Sequence, residues 1–156
     1  MSAFALVPRV LGVDFGEARI GVAVSDQLGM LAHPVETIPG HNVSAAAKRV
    51  AEIAREKNVE RVIVGLPRHM NGSIGAAADS ARAFAARLAP LLTCAVELWD
   101  ERLSTTAANR ALRDSGAKTR QTRGIVDQVA AQMILQSYLD SRPPPGEAGV
   151  EIPPAE

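Results

Sequence analysis

Three acidic positions in this chain have surroundings that suit a charge poorly. Asp14 interrupts the apolar run VLGVDF at residues 10–15. Glu101, with Asp100 before it, closes a second run, AVELWDE at residues 95–101. Asp127 falls on a helical stripe with Ala131 and Ile134, at spacings of four and seven, a stripe that should pack on a sheet. A lone carboxylate is costly to bury. Two carboxylates about 4 Å apart repel by roughly 4 kcal/mol at an effective dielectric of 20. If the three converge, something positive must join them. Arg19 and Arg102 could do so as an ordinary ion-pair network. Hard divalent cations could do so as well. Mg²⁺ and Mn²⁺ prefer oxygen ligands, and a carboxylate trio without cysteine or paired histidines suits them better than zinc. Two such ions can activate a water and stabilise a leaving oxygen, the requirements of phosphodiester hydrolysis.

Each residue also has an ordinary structural use. An Asp after a strand commonly serves a turn. Asp100 and Glu101 precede Ser104, Thr105 and Thr106, where acid favours a helix N-terminus, and Asp127 could do the same in the first turn of the last helix. Taken singly, the ordinary use is the stronger reading of each. Only the joint pattern points to metal.

The elements that must position these residues follow from pattern. Arg9 to Asp26 predicts a β-hairpin turning at Glu17-Ala18, with β-branched arms punctuated by Gly12, Gly16 and Gly21. Val35–Ile38 predicts a third strand, closed by Pro39-Gly40. Asn42 or Ser44 caps a helix over 45–57. The apolar run at 60–65 predicts a buried parallel strand. The loop LPRHMNGSIG at 66–75 follows it, where open α/β sheets place ligand loops. Then come an alanine-rich helix over 74–92, a strand over 95–100, a strand end, cap and helix over 101–115, a polar basic loop over 116–123 and a final helix over 124–140. This order predicts an α/β fold: a mixed five-stranded sheet, three strands antiparallel and two parallel, flanked by helices. Residues 1–141 form the predicted domain. Residues 142–156 hold five of the ten prolines and no apolar period, which predicts a disordered tail.

Composition narrows the function classes. Hydrophobic residues make up 47% of the 156, enough for a real core. No apolar run approaches a membrane span, and the first residues lack the charged and apolar regions of a signal peptide. Cys94 is the only cysteine, so no internal disulfide forms, as suits a reducing cytoplasm; packing is its expected role. Formal net charge is zero, yet residues 101–127 carry six basic against three acidic side chains. That local excess could engage phosphates.

Four stretches carry a resemblance to a known family: LGVDFGEARIGVAVSD at 11–26, VIVGLPRHMNGSIG at 62–75, WDERLSTTAANRAL at 99–112 and VDQVAAQMILQSYL at 126–139. They resemble, in the same order, the YqgF family, also called RuvX, within the RNase H-like superfamily. The resemblance implies an RNase H-like fold and a divalent-metal-dependent nuclease. Its metal-binding catalytic triad would be carried here by Asp14, Glu101 and Asp127. Glu101 rather than Asp100 fills the centre of the Asp-Glu-Arg motif, although strand alternation alone does not choose between them. Ser104 stands where a family member carries Thr, which keeps the hydroxyl. The family is linked to maturation of the 16S rRNA 5′ end, and Holliday-junction resolution is its alternative activity. The expected substrate contacts are Arg19, Pro67, Asn71, Gly72, Arg102, Lys118, Arg120 and Arg123, each with solvated-surface or turn chemistry as its bland counterpart. His69 is more simply a surface histidine, and Trp99 core rather than a stacking platform.

The leading function is therefore a cytoplasmic, Mg²⁺- or Mn²⁺-dependent nuclease acting on structured RNA or branched DNA, as a monomer or homodimer. A nucleotide-binding protein of the actin or sugar-kinase type also opens with Asp-x-Gly and a hairpin, but needs two such domains where 156 residues supply one. A catalytically quiet RNA- or ribosome-binding module is the third reading, since fold and site can persist without activity.

Overall fold

A computed structural model describes residues 7–16, 18–66, 75–100 and 120–142, with side chains for all of these except 77 and 120–127. Strands β1 (Arg9–Phe15) and β2 (Arg19–Ser25) form the expected hairpin, paired from Leu11 with Val24 to Phe15 with Ile20. The turn demands glycine at one point. Gly16 donates its N–H to the Arg19 carbonyl at 3.0 Å, and a Cβ on Gly16 would lie 2.6 Å from that oxygen.

Strand β3 (Ala32–Pro39) is longer than the alternation at 35–38 suggests. Pro34 is tolerated because β3 is an edge strand, and a register shift lies opposite it at Val22/Ala23. Helix α1 (Val43–Glu56) begins at Asn42, whose Oδ1 accepts from the Ala45 N–H at 3.1 Å. Strand β4 (Val59–Leu66) follows. Helix α2 (Ala76–Leu88) stops short of Leu92, because Pro90 cannot continue an α-helical ladder and a 3₁₀ turn at Ala89–Leu91 takes over. Strand β5 (Ala95–Asp100) has the expected bounds.

Helix α3 (Arg120–Ser141) begins four residues before the expected start at Gly124. Gly124 marks no boundary: the helix runs through it, as a single glycine costs only about 1 kcal/mol. Arg120 and Arg123 therefore stand on a helix rather than in a loop. Asp127 lies two turns in, not in the first turn. The helix expected over 101–115 lies outside the described residues. At the other end, Arg142 does not leave the domain. Its guanidinium lies 5.6 Å from the Tyr138 ring centre and 4.0 Å from Glu60.

The sheet order is β3-β2-β1-β4-β5, with β1 central. β1 pairs antiparallel with β2 and parallel with β4; β2–β3 is antiparallel and β4–β5 parallel. This is the expected mixed sheet. Alternation on β1 serves two cores. Leu11 and Val13 pack with α1 and α2, against Val50, Ile53, Ala81, Phe84 and Leu88. Val10 packs on the opposite face with Ile63, Ala131, Ile134 and Leu135, under α3. Cys94 packs beside the first core, and burial pushes its thiol pKa up, consistent with a packing role.

Candidate active site at the carboxyl end of the central strand

The geometry at Asp14 is set by strand parity and by where α3 crosses the sheet. Val10, Gly12 and Asp14 share the α3 face. The crossing is tight at Gly12, where an added Cβ would sit 2.7 Å from Leu135 Cβ and 3.2 Å from the Ala131 carbonyl oxygen. From that contact, Asp14 is two residues farther along β1, roughly 6.6 Å. Position 127 is four residues back along α3 from Ala131, roughly 6 Å. The helix runs antiparallel to β1, since Gln128 reaches Thr37 while Gln136 reaches Met30 and Ala32. Both steps lead the same way, towards the end of the helix where Gln128, next to position 127, bonds Thr37 in the cross-strand row of Asp14.

Asp14 is 1% exposed. Its lateral neighbours explain how a carboxylate fits there. On one side Gly21 is its β2 partner. On the other, one step beyond the Val13–Val64 pair, stands Gly65 of β4. Register extends the row to Thr37 on β3 and Trp99 on β5. The row Thr37–Gly21–Asp14–Gly65–Trp99 thus crosses all five strands on the α3 face, and the two glycines leave the carboxylate flanked by no side chain of its own row. A buried oxygen donor with glycine on both sides suits a small hard cation. Glycine beside Asp14 is a legible sequence feature at position 21, but the proximity of Gly65 exists only through β1–β4 pairing.

Trp99 is partly buried and packs against the core under α3. Its Nε1–H donates to Ser137 Oγ at 3.2 Å, and its ring meets Tyr138 edge-on at 5.3 Å. Parity also separates Asp100 from Asp14. Asp100 pairs with Leu66, a member of the core under α1 and α2, and so belongs to the opposite face. Arg19 shares the Asp14 face, two residue pairs nearer the sheet rim, opposite Pro39. The structure thus puts Asp14 and Arg19 on one face near the carboxyl end of β1, with Gln128, the neighbour of position 127, bonded to the row of Asp14. Glu101, Pro67, Asn71, Gly72, Arg102 and Lys118 lie outside the described residues. Arg120 and Arg123 are in the first turns of α3. Among the described residues, no three of His, Cys, Asp or Glu stand together as a metal-binding group.

Two carboxylates elsewhere are perturbed. Hydrogen bonds from Arg49 hold Glu36 below its usual range. Burial would raise Asp26, but backbone amides of the turn, led by Met30, outweigh it and lower the pKa.

One feature carried no chemical signal in the sequence. Gln128, Gln132 and Gln136 recur every four residues and form a polar rail from α3 to β3. Gln128 Nε2 donates to Thr37 Oγ1 at 3.0 Å. Gln132 Nε2 donates to the Ala32 carbonyl at 3.0 Å. Gln136 accepts from the Ala32 N–H at 2.9 Å and donates to the Met30 carbonyl at 2.7 Å. The spacing was visible; the edge strand it fastens was not.

A family model described as RuvX, Holliday junction resolvase, matches residues 8–141. The chain belongs to the RuvX family. A RuvX relative from Chloroflexus aggregans is 46% identical over 133 residues, spanning 85% of this chain and 94% of its own. Another, from Nocardia farcinica, is 51% identical over 141 residues, spanning 86% and 78%. Both carry the provisional name pre-16S rRNA nuclease. Among solved structures, RuvC of Thermus thermophilus in complex with Holliday junction substrate superposes with a TM-score of 0.56 at 16% identity, covering 86% of this chain and 96% of that one. That likeness is one of fold, and it makes this RuvX sheet RNase H-like. The family model and the names of these relatives make the chain a member of a nuclease family. None of its described helices is long and apolar enough to cross a membrane.

Proposed function

We propose that this RuvX chain is a divalent-metal-dependent nuclease that hydrolyses phosphodiester bonds in structured RNA, trimming the 5′ end of pre-16S rRNA in the cytoplasm. The observation that carries the reading is Asp14: a buried carboxylate at the carboxyl end of the central strand, between two glycines, in a cross-strand row to which Gln128 of α3 is bonded. Asp14, Glu101 and Asp127 are the proposed ligands of Mg²⁺ or Mn²⁺, two ions in all. Asp100 belongs to the opposite face of the sheet, which favours Glu101 as the third ligand. When bound, such ions polarise the scissile phosphate and lower the pKa of an attacking water.

The chain's own residues supply the rest. Asp14 offers its carboxylate from a rigid strand, so little ordering remains at the moment of reaction. Arg19 at the rim, with Arg102, Lys118, Arg120 and Arg123, draws phosphates towards that corner, each contact adding to the salt dependence of binding. Pro67, Asn71 and Gly72, in the loop after β4, contact the nucleic-acid backbone. Residues 1–141 form the nuclease domain and 142–156 are a Pro-rich tail, whose first residue, Arg142, packs on the domain. The active form is a monomer or a homodimer.

The test is Mn²⁺-dependent cleavage by wild type and Asp14→Asn, both purified free of contaminating nuclease. Wild type should cut and the variant should lose at least about a hundredfold, the scale on which removal of a transition-state electrostatic contact is felt. Equal cutting by both would refute the assignment. A second reading, cleavage of branched DNA, is favoured by the description of the matching family model. Competition between a pre-16S fragment and a four-way DNA junction decides between them.

A further inference from the structure

Position 127 can share a cation with Asp14 only if α3 keeps its height and rotation over the sheet. Packing at Gly12 sets the separation of helix and β1 and restrains the helix's rotation. The glutamine rail adds directional bonds, each acting on its own turn of the helix. They lie on the β3 side of α3, while Ala131 and Leu135 lie on the β1 side. Among the described side chains of the rail, Gln128 is the one nearest position 127, to which it is adjacent. Its partner Thr37 stands in the same cross-strand row as Asp14, separated from it only by Gly21. One half-buried 3.0 Å bond therefore ties the helix at 127–128 to the row that holds Asp14.

We infer that Thr37 and Gln128 are positioning residues: their hydrogen bond holds α3 at position 127 in register with Asp14, and so sets the site's affinity for its cation. The inference rests on the proposed sharing of that cation by Asp14 and Asp127. Neither residue touches the reacting atoms in this role. Thr37 supplies a fixed acceptor from a strand, and Gln128 a donor from the helix.

The experiment compares wild type, Thr37→Val, Thr37→Ser and Gln132→Leu. Thr37→Val keeps the shape and removes the acceptor. Thr37→Ser restores it. Gln132→Leu removes a comparable bond one turn farther from Asp14. Two quantities are measured: Mn²⁺ affinity by calorimetry, and amide exchange along α3 in metal-free protein. Loss of one such bond is worth roughly a fivefold change in an equilibrium. Thr37→Val should weaken Mn²⁺ binding by about that factor and speed exchange at amides near 128 but not near 138. Thr37→Ser should return both to within about twofold of wild type. Gln132→Leu should lower the melting temperature and leave Mn²⁺ affinity unchanged. Faster exchange with unaltered Mn²⁺ affinity in Thr37→Val would make the bond merely structural and overturn the inference. Equal loss of affinity in Gln132→Leu would overturn it too, by making the effect general. No Mn²⁺ binding by wild type would overturn the site itself, and this inference with it.

Discussion

Replacing Gly12 by alanine should destabilise the protein, against the usual trend for this substitution. Gly12 has no positive φ that would demand glycine. In a strand, removing glycine's extra freedom in the unfolded chain stabilises by roughly 0.4–1 kcal/mol. The opposing term comes from α3. A Cβ at Gly12 would lie 2.7 Å from Leu135 Cβ and 3.2 Å from the Ala131 carbonyl oxygen. Neither neighbour is the loose end of a flexible chain, since one is a Cβ and the other is helix backbone. Reaching an ordinary contact of about 3.4 Å requires an opening of about 0.7 Å, so the helix as a whole must lift. Overpacking of this kind costs roughly 1–3 kcal/mol. The steric term wins, and the net loss should be about 1–2 kcal/mol, read as a lower urea midpoint at unchanged m-value. Gly12→Ser should be at least as harmful. The same lift separates position 127 from Asp14, so nuclease activity should fall by more than the unfolded fraction explains. A Gly12→Ala protein as stable as wild type, with full activity, would refute the claim that α3 sits this closely on β1.

Two further predictions concern polar groups outside the site. Ser25 is 1% exposed and its Oγ accepts from the Val10 N–H at 2.8 Å, beside the β1–β4 register shift that lies between Arg9 and Val10. Ser25→Ala leaves that amide buried without this acceptor and should cost roughly 1–3 kcal/mol in denaturant unfolding, whereas Ser25→Thr should cost less; a neutral Ser25→Ala would show that the amide finds another partner. Glu36 accepts two hydrogen bonds from Arg49, at 2.8 and 2.9 Å, and its pKa is lowered from the ordinary 4.5. A depressed carboxylate contributes stability above its unfolded pKa and loses it as pH falls through the folded value. Because the pair is about a third exposed, that contribution is under about 1 kcal/mol after solvent screening. Glu36→Gln should therefore be slightly less stable than wild type at pH 7, with the difference closing as pH drops below about 4.5; a difference that persists undiminished at pH 2 would assign it to shape rather than charge.

Local chemistry decided much of this molecule. β-Branched runs broken by glycine specified the hairpin, and Asn42 specified the start of α1, because those signals act over a few residues. Boundaries were less legible where packing or a proline intervened. The first turn of α3 carries polar residues that resemble a loop, and Pro90 ended α2 earlier than its alanine content suggested. Asp14 was conspicuous in the sequence because a carboxylate in an apolar strand is costly wherever it lies. What made the position workable was not: Gly65 stands beside Asp14 only through a parallel pairing across about fifty residues of chain. Asp100 and Glu101 could not be told apart by type, and parity put Asp100 on the other face. The glutamine rail shows the same division. Its four-residue spacing is a property of the sequence, but a rail has meaning only beside the edge it grips, and β3 lies within reach of α3 only through the strand order of the sheet. Sequence alone fixed which residues could do chemistry. Tertiary structure decided which of them meet, because meeting depends on register and helix height, and no local run of residues encodes either.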